Sequence, residues 1–314
     1  YLVFGPTRVF ESPRIVSIRE GSSMTTAAGE LAHAGVVRSQ VAFVAYAKLT
    51  GRSRRLKPGD YAFKGGEAMP EVLTHLVNGD FMVVNVTIPE GMTVRQIGER
   101  LEQAGLVCES EFDAAARRGK IAIELGLLPL GTEGFLFPAT YRFSPLAKTD
   151  QILTRMLERF FAVLTPTVER RLFDLNLTPR EMVTMASIVE KEAHAPQERP
   201  IIASVFYNRL KLGMPLQSDP TAQYNPQGES ERAATAVRTS SAFNTYEIAG
   251  LPPGPIANPG LPSMHAALYP AHTDYLYFVA RNDGTHIFSK SFAEHQRAIA
   301  EIKRLNALSR GMSG

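Results

Sequence analysis

Ile18-Arg19-Glu20-Gly21 returns 70 residues later as Ile88-Pro89-Glu90-Gly91. The likeness continues through Leu31 and Leu101, Ala34 and Ala104, Gly35 and Gly105, and Val37 and Val107. Each copy reads as a short strand, a Glu-Gly turn and a helix stopping at a glycine suited to the left-handed cap position. A β-turn-α unit used twice predicts small modules of a kind that more often bind or space than catalyse. Between the copies, Leu56-Lys57-Pro58-Gly59-Asp60-Tyr61-Ala62-Phe63 reads as turn then strand, and Glu71 to Val77 as a short amphipathic helix closed by Asn78-Gly79. Val41-Ala42-Phe43-Val44-Ala45-Tyr46-Ala47 has the length of a strand or of part of a buried helix.

Beyond residue 110 the texture changes. Residues 111–127 are alanine-rich and helical in pattern, Leu128-Pro129-Leu130-Gly131 interrupts them, and Glu133-Gly134-Phe135-Leu136-Phe137-Pro138 follows. A long helical region is expected over 149–175. Thr178-Pro179 then supplies an N-cap and a proline at the first helical position for a helix that runs to Glu192. The next helix, over 199–212, is apolar nearly all round and stops at Gly213, which predicts burial on most sides and internal partners for Asn208 and Arg209. The proline-rich stretch 214–263 reads as a long ordered loop, a feature more often functional than not. Tyr275-Leu276-Tyr277-Phe278-Val279 and His286-Ile287-Phe288 flank Asn282-Asp283-Gly284 as a hairpin. Ser291 with Glu294 makes a capping box for a closing helix through Ile299, Ile302 and Leu305. This order of elements predicts an α+β architecture, not an alternating doubly wound sheet.

At 314 residues the chain is long enough for two modules. Hydrophobic residues at 44% and charged ones at 21% exclude wholesale disorder, a collagen-like fibre and a polytopic membrane protein. The 34 Lys and Arg exceed the 31 Asp and Glu by only three, which argues against a nucleic-acid binder. The densest basic run, Arg52-Ser53-Arg54-Arg55-Leu56-Lys57, lacks stacking aromatics and reads as a solvated loop face. With Cys108 alone, no internal disulfide, Cys-rich zinc site or CxxC motif can form. The opening Tyr1-Leu2-Val3-Phe4 is what is expected just after a targeting or membrane segment.

Candidate chemistry centres on Glu190-Lys191-Glu192. At ~100° per residue, Met182, Met185, Ala186, Ile188 and Val189 form one apolar arc. Glu192 falls inside it, Glu190 lies nearer its margin, and Lys191 points away. An acid on an apolar face has its pKa raised, as a general acid near neutral pH requires, so Glu192 is the better candidate and Glu190 the second. The plain alternative is an acid in the last helical turn that pairs with a neighbouring Arg or Lys. Asn208, Arg209, Gln217, Asp219 and Thr221 then fall within fourteen residues of a largely apolar segment, which points to a polar site or an internal network; Asp219, before Pro220, also suits a turn. The chain carries no GxGxxG, GxxxxGK[ST], HExxH or Gly-x-Ser-x-Gly, and its seven histidines are scattered, so nucleotide, metal and esterase chemistry have no sequence basis.

These blocks resemble the YceG-like endolytic murein transglycosylase family. The resemblance rests on Met185-Ala186-Ser187-Ile188-Val189-Glu190-Lys191-Glu192, Ala203-Ser204-Val205-Phe206-Tyr207-Asn208-Arg209-Leu210 and Gly213-Met214-Pro215-Leu216-Gln217-Ser218-Asp219-Pro220-Thr221. It continues through Asn244-Thr245-Tyr246, Gly250-Leu251-Pro252-Pro253-Gly254-Pro255-Ile256 and Tyr275 to Val279. It implies a LysM-like module over 15–82 after a juxtamembrane stub over 1–14, then a YceG-like catalytic domain over 83–314 with a second βα unit at 83–120. It also implies one membrane helix ahead of Tyr1 in the bacterial cytoplasmic membrane, a catalytic domain on the outer side, and no cofactor. Peptidoglycan glycan strands are the implied substrate. Penicillin-binding proteins and the elongation or division machinery are the implied partners.

The family's catalytic acid is the second of its Glu-Lys-Glu motif and maps onto Glu192, in agreement with the helical arc. Asn208, Gln217, Ser218, Asp219 and Thr221 are assigned to positioning substrate or Glu192, with Asn244 and Tyr246 on a cleft-lining loop. The chain departs from the family pattern at Ala139, where an aspartate is common, and at Asn225, where a glycine is. The expected reaction cleaves the MurNAc-β-1,4-GlcNAc bond and leaves 1,6-anhydro-MurNAc ends, with Glu192 as the single general acid/base. A non-catalytic peptidoglycan-binding scaffold and a muramidase hydrolase are the alternatives.

Overall fold

The computed structural model describes residues 5–124, 131–225, 241–281 and 283–311. The chain divides into two compact units, each interrupted in sequence. The first holds residues up to Val86 together with Ala104–Leu106 and Tyr141–Lys148. The second holds Thr87–Gln103, Val107–Thr140 and everything from Thr149 onward.

In the first unit, β1 (Arg14–Ile18) leads to α1 (Met24–His33), α2 (Gln40–Leu49), β2 (Gly59–Phe63) and α3 (Met69–Asn78). β1 and β2 pair antiparallel, with Arg14 opposite Phe63 and Ile18 opposite Gly59. The period-two alternation sends Val16, Ile18, Tyr61 and Phe63 into the core, where Leu31, Phe43, Leu73 and Leu76 meet them. The apolar run at 41–47 is a helix: Ser39 caps α2 by accepting from Ala42 N–H at 3.3 Å. Its buried positions, Phe43 and Ala47, are four apart, while Val41 is 78% exposed. Phe10 also packs on this core and its N–H donates to Lys64 O at 2.8 Å.

The repeat is visible in the backbone. β3 (Val84–Thr87) precedes α4 (Val94–Gln103) as β1 precedes α1, and Gly35 and Gly105 follow the two helices at φ 69° and 71°. β3 pairs with β4 (Thr140–Phe143). Two expected long helices are each broken. Residues 111–127 hold the end of α5 (Glu109–Arg118), which stops at Gly119, and then α6 (Lys120–Glu124); Leu128-Pro129-Leu130 lies outside the described residues. The 149–175 region divides into α7 (Thr149–Phe161) and α8 (Pro166–Leu175), because Thr165 and Pro166 start a fresh helix.

α9 (Pro179–Glu192) is the centre of the second unit, with every residue from Met182 to Val189 buried. Thr178 and Glu181 close its N-terminus as a capping box. α10 (Arg199–Lys211) and α12 (Leu261–Leu268) pack against it. Gly134, at φ 84°, sits so tightly that a Cβ there would lie 2.4 Å from Pro255 and 2.8 Å from Val183. The described part of the proline-rich stretch is pinned: Ile256 N–H donates to Ser187 Oγ at 3.1 Å, and Leu136 N–H donates to Asn258 Oδ1 at 2.8 Å. The short α11 (Asp219–Gln223) lies within it. β5 (Tyr277–Ala280) and β6 (His286–Ser289) form the expected antiparallel hairpin, although Asn282 of its turn is outside the described residues. Ser291 Oγ accepts from Glu294 N–H at 3.2 Å to start α13 (Phe292–Gly311). Among the described residues, no helix is long and apolar enough to cross a membrane.

Candidate active site

Glu190 and Glu192 both lie at the end of α9, but the buried surroundings of that helix separate their roles in a way that an amphipathic arc does not anticipate. From Met182 to Val189 α9 is buried on every side, and its last turn emerges from the core: Lys191 is exposed, and Glu190 and Glu192 on either side of it are half-buried. Glu190 forms an ion pair with Arg199 at 3.3 Å and accepts from Gly260 N–H at 3.0 Å. Its side chain is only 7% exposed, and both oxygens are engaged in the frame. Glu90 stands close by; its carboxyl is raised above the usual range, chiefly by burial and then by the Glu190 charge, with Arg199 opposing.

Glu192, the last residue of α9, lines an open cleft of about 230 Å³. Ser218 Oγ donates to Glu192 Oε1 at 2.6 Å. Burial raises the Glu192 pKa, the Ser218 bond opposes it, the Asp219 charge raises it further, and His286 and His194 act downward. The net displacement is upward, which suits a carboxyl that must carry a proton into the reaction.

The segment that carries Ser218 is held by a small hydroxyl network. Ser218 N–H donates to Thr245 Oγ1 at 3.0 Å, Thr221 Oγ1 donates to Ser218 O at 2.6 Å, and the two threonine hydroxyls stand 2.7 Å apart. Thr221 and Thr245 are fully buried, so Thr221 acts through Ser218 and not at the cleft surface. Gln217 has φ 52°, an uncommon left-handed setting for a residue with a side chain. Its N–H donates to Thr245 O at 3.1 Å, and Arg209 Nη1 reaches its Oε1 at 3.2 Å. Arg209 further donates to Leu276 O at 2.7 Å and Leu216 O at 2.8 Å. This buried arginine therefore clamps the strand to the loop beneath Glu192.

The structure brings Glu192, Gln217, Asp219 and Tyr246 together on the cleft. Tyr246 OH donates to Asp219 Oδ1 at 2.7 Å. Asn244 is fully buried and accepts from Tyr246 N–H at 3.1 Å, so it shapes the turn instead of facing the cleft. Asn208 is spent elsewhere: its Nδ2 donates to Thr273 O at 2.8 Å and Tyr275 O at 3.0 Å, holding the strand that follows. Sequence reasoning missed Tyr277, Phe292 and His295, which also line the cleft. A signal for Tyr277 was available in the aromatic alternation Tyr275, Tyr277, but it reads equally as a strand face.

A second buried acid stands apart from the cleft. Glu133 accepts from Val94 N–H at 3.1 Å, from Asn258 Nδ2 at 3.0 Å and from Tyr224 OH at 3.2 Å. Burial raises its pKa to about 7 against the lowering effect of the Val94 bond, the Arg117 charge and the Tyr224 bond. Ala139, where the family pattern often has an acid, only accepts a backbone bond from Ile88 N–H at 2.9 Å.

Residues 16–301 match the model of the YceG-like family. The endolytic murein transglycosylase of Bacillus subtilis (strain 168) is 33% identical, over 90% of this chain and 83% of its own length. That of Streptococcus pneumoniae serotype 2 (strain D39) is 31% identical over 91% of this chain, which spans 58% of the relative's length. A crystal structure of a YceG-like protein from Listeria monocytogenes superposes with a TM-score of 0.60 at 31% identity, covering 92% of this chain and 99% of that one.

Proposed function

The chain belongs to the YceG-like family, and from that premise we propose that it is an endolytic murein transglycosylase whose single general acid/base is Glu192. Relatives named for this activity match nine-tenths of the chain, so the enzyme acts on peptidoglycan as a lytic transglycosylase. The observation that carries the assignment to Glu192 is its setting: a carboxyl with a raised pKa, oriented by Ser218, on an open cleft with polar neighbours. Glu190, locked to Arg199 and Gly260, has no such access.

The chemistry then runs in two proton transfers. Protonated Glu192 gives its proton to the glycosidic oxygen as the C1–O bond of the muramyl unit breaks, leaving an oxocarbenium-like centre at C1. The muramyl C6 hydroxyl adds to C1 and gives its proton to the Glu192 carboxylate. A 1,6-anhydro end is formed, no water is consumed, and the acid is regenerated. One carboxyl suffices because the second nucleophile belongs to the sugar, whereas an ordinary glycosidase needs two. Gln217 and Tyr246 are assigned to hydrogen bonding with the strand, and Asp219 to electrostatic support of the positive centre.

Asp219 also favours a second reading, since it gives the same cleft a second carboxylate that could activate water and make the enzyme a muramidase. Mass spectrometry of uncrosslinked glycan strands after incubation separates the two. Wild type should leave internal cuts ending in 1,6-anhydro-MurNAc, and Glu192→Gln should leave strands intact. Reducing ends would move the assignment to hydrolysis, and normal cutting by Glu192→Gln would remove Glu192 from the role. The proposal further includes a LysM-like role for residues 15–82, an N-terminal membrane anchor, an outward-facing catalytic domain and partners among the wall-synthesis machinery.

A further inference from the structure

We propose that Tyr277, Phe292 and His295 form an aromatic shelf that binds one pyranose ring of a β-1,4-linked N-acetylhexosamine strand. The proposal rests on the glycan-cleaving reading of the cleft and extends it to a subsite. The three rings come from two elements, β5 and the first turn of α13, and all line the cleft that holds Glu192. Tyr277 and His295 are stacked, with centroids 5.3 Å apart and planes 22° from parallel. Phe292 adds its ring at 5.8 Å from Tyr277.

Several features distinguish this cluster from core packing. Phe292 opens α13 with 57% of its surface exposed, so a large apolar ring is left at the cleft instead of being buried. The guanidinium of Arg209 lies 5.1 Å from the Tyr277 centroid, fixing that ring by a cation–π contact. His295 Nδ1 has no hydrogen-bond partner among the described residues, so stacking holds the imidazole. Burial and the Arg209 charge both keep its pKa below the usual value, so it stays an uncharged ring at neutral pH.

A β-1,4-linked hexosamine carries its large substituents equatorially, and its axial C–H bonds make an apolar, slightly positive face. Such a face lies against the negative face of an aromatic ring. Its hydroxyl and acetamido groups project from the edge, where Gln217, Asp219 and Tyr246 line the same cleft. An apolar floor with a few polar groups at the side is the usual form of a small-ligand site. Arg209 Nε and Nη1 are already engaged with the strand and the loop, which holds the guanidinium against the Tyr277 ring.

The test measures the Kd of uncrosslinked glycan strands of defined length for the whole chain carrying Glu192→Gln, by titration calorimetry. Adding Phe292→Ala should weaken binding about five- to tenfold, the effect of one aromatic contact, and Phe292→Trp should restore it. Unchanged affinity for both Phe292→Ala and His295→Ala, in variants whose circular dichroism melting matches the parent, overturns the shelf. Strand cutting by the unmodified chain is scored separately. Cutting with no effect of these substitutions on binding removes the shelf and leaves the cleavage assignment. Shelf-dependent binding with no cutting removes the cleavage assignment and leaves the shelf.

Discussion

Ser218 and Asp219 are adjacent in sequence but act on the Glu192 carboxyl in opposite senses. The hydroxyl donates to it and lowers its pKa; the neighbouring carboxylate raises it, and burial raises it most. A general acid works from its protonated form, so under the proposed role of Glu192 kcat/KM is full below the Glu192 pKa and falls as pH rises through it. Ser218→Ala should therefore move the alkaline limb of the pH profile to higher pH, and Asp219→Asn should move it to lower pH. Strand cleavage followed across about pH 4 to 9 reads both shifts, and movement in the same direction would refute the electrostatic account. That Glu190 and Glu192 stand in different surroundings was legible in sequence, because two acids at a helix end project differently. Their partners were not legible: Arg199 and Gly260, which claim Glu190, come from elements whose approach no helical wheel encodes. Asn208 shows the converse, since a half-buried asparagine beside a polar cluster reads as a site residue until its acceptors, the carbonyls of Thr273 and Tyr275, are known.

At the scale of elements, local signals carried far. The Glu-Gly repeat, the capping box at Thr178, the side-chain cap at Ser291 and the hairpin before α13 are short-range devices, and each forms where its residues stand; at Ser291 the reciprocal half of the expected box is missing, since the Glu294 carboxylate accepts from Lys290 N–H instead. The interruptions between α5 and α6 and between α7 and α8 were smoothed over because apolar periodicity continues across Gly119 and Pro166, although one residue suffices to restart a helix. What no local signal conveys is long-range pinning, of which Glu133 is the clearest case. It ties the start of α4, the loop at Asn258 and Tyr224 into one knot. Its pKa in the folded chain is about 7, above the ordinary glutamate value of 4.5. A raised folded-state pKa makes stability fullest below the unfolded value and drains it as pH rises toward the folded one. The loss amounts to roughly 3 kcal/mol across that window. Urea midpoints measured from pH 4.5 to 7.5 should fall with pH, and Glu133→Gln should flatten that fall while keeping the amide acceptor for Val94. An equal slope in both proteins would show that Glu133 does not titrate in this range.

At the scale of the whole chain, the two units are unequal in self-sufficiency. The core of the first is built from residues between Val16 and Val77, with Phe10 and Phe81 packed at its borders. Its remaining segments, Ala104–Leu106 and Tyr141–Lys148, are short returns of a chain otherwise committed to the second unit. The Ser144 hydroxyl, in the longer of these returns, bonds to Asp60. A segment of about 75 residues with a closed core lies above the size at which small domains fold alone. Residues 8–82 expressed by themselves should therefore show a cooperative thermal transition by circular dichroism. If the LysM-like reading is right, they should also sediment with insoluble peptidoglycan. Residues 83–314 should suffer more from the same cut, because Tyr141 and Phe143, buried in the intact chain, belong to the first unit and would be left with part of their cover removed. A lower urea midpoint for 83–314 than for the cooperative unfolding of the intact chain is the expected result. The reverse, an unfolded 8–82 beside an undiminished 83–314, would mean that the first unit folds only on the template of the returning segments, and that the repeat at Ile18 and Ile88 marks common local structure without a domain boundary between its copies.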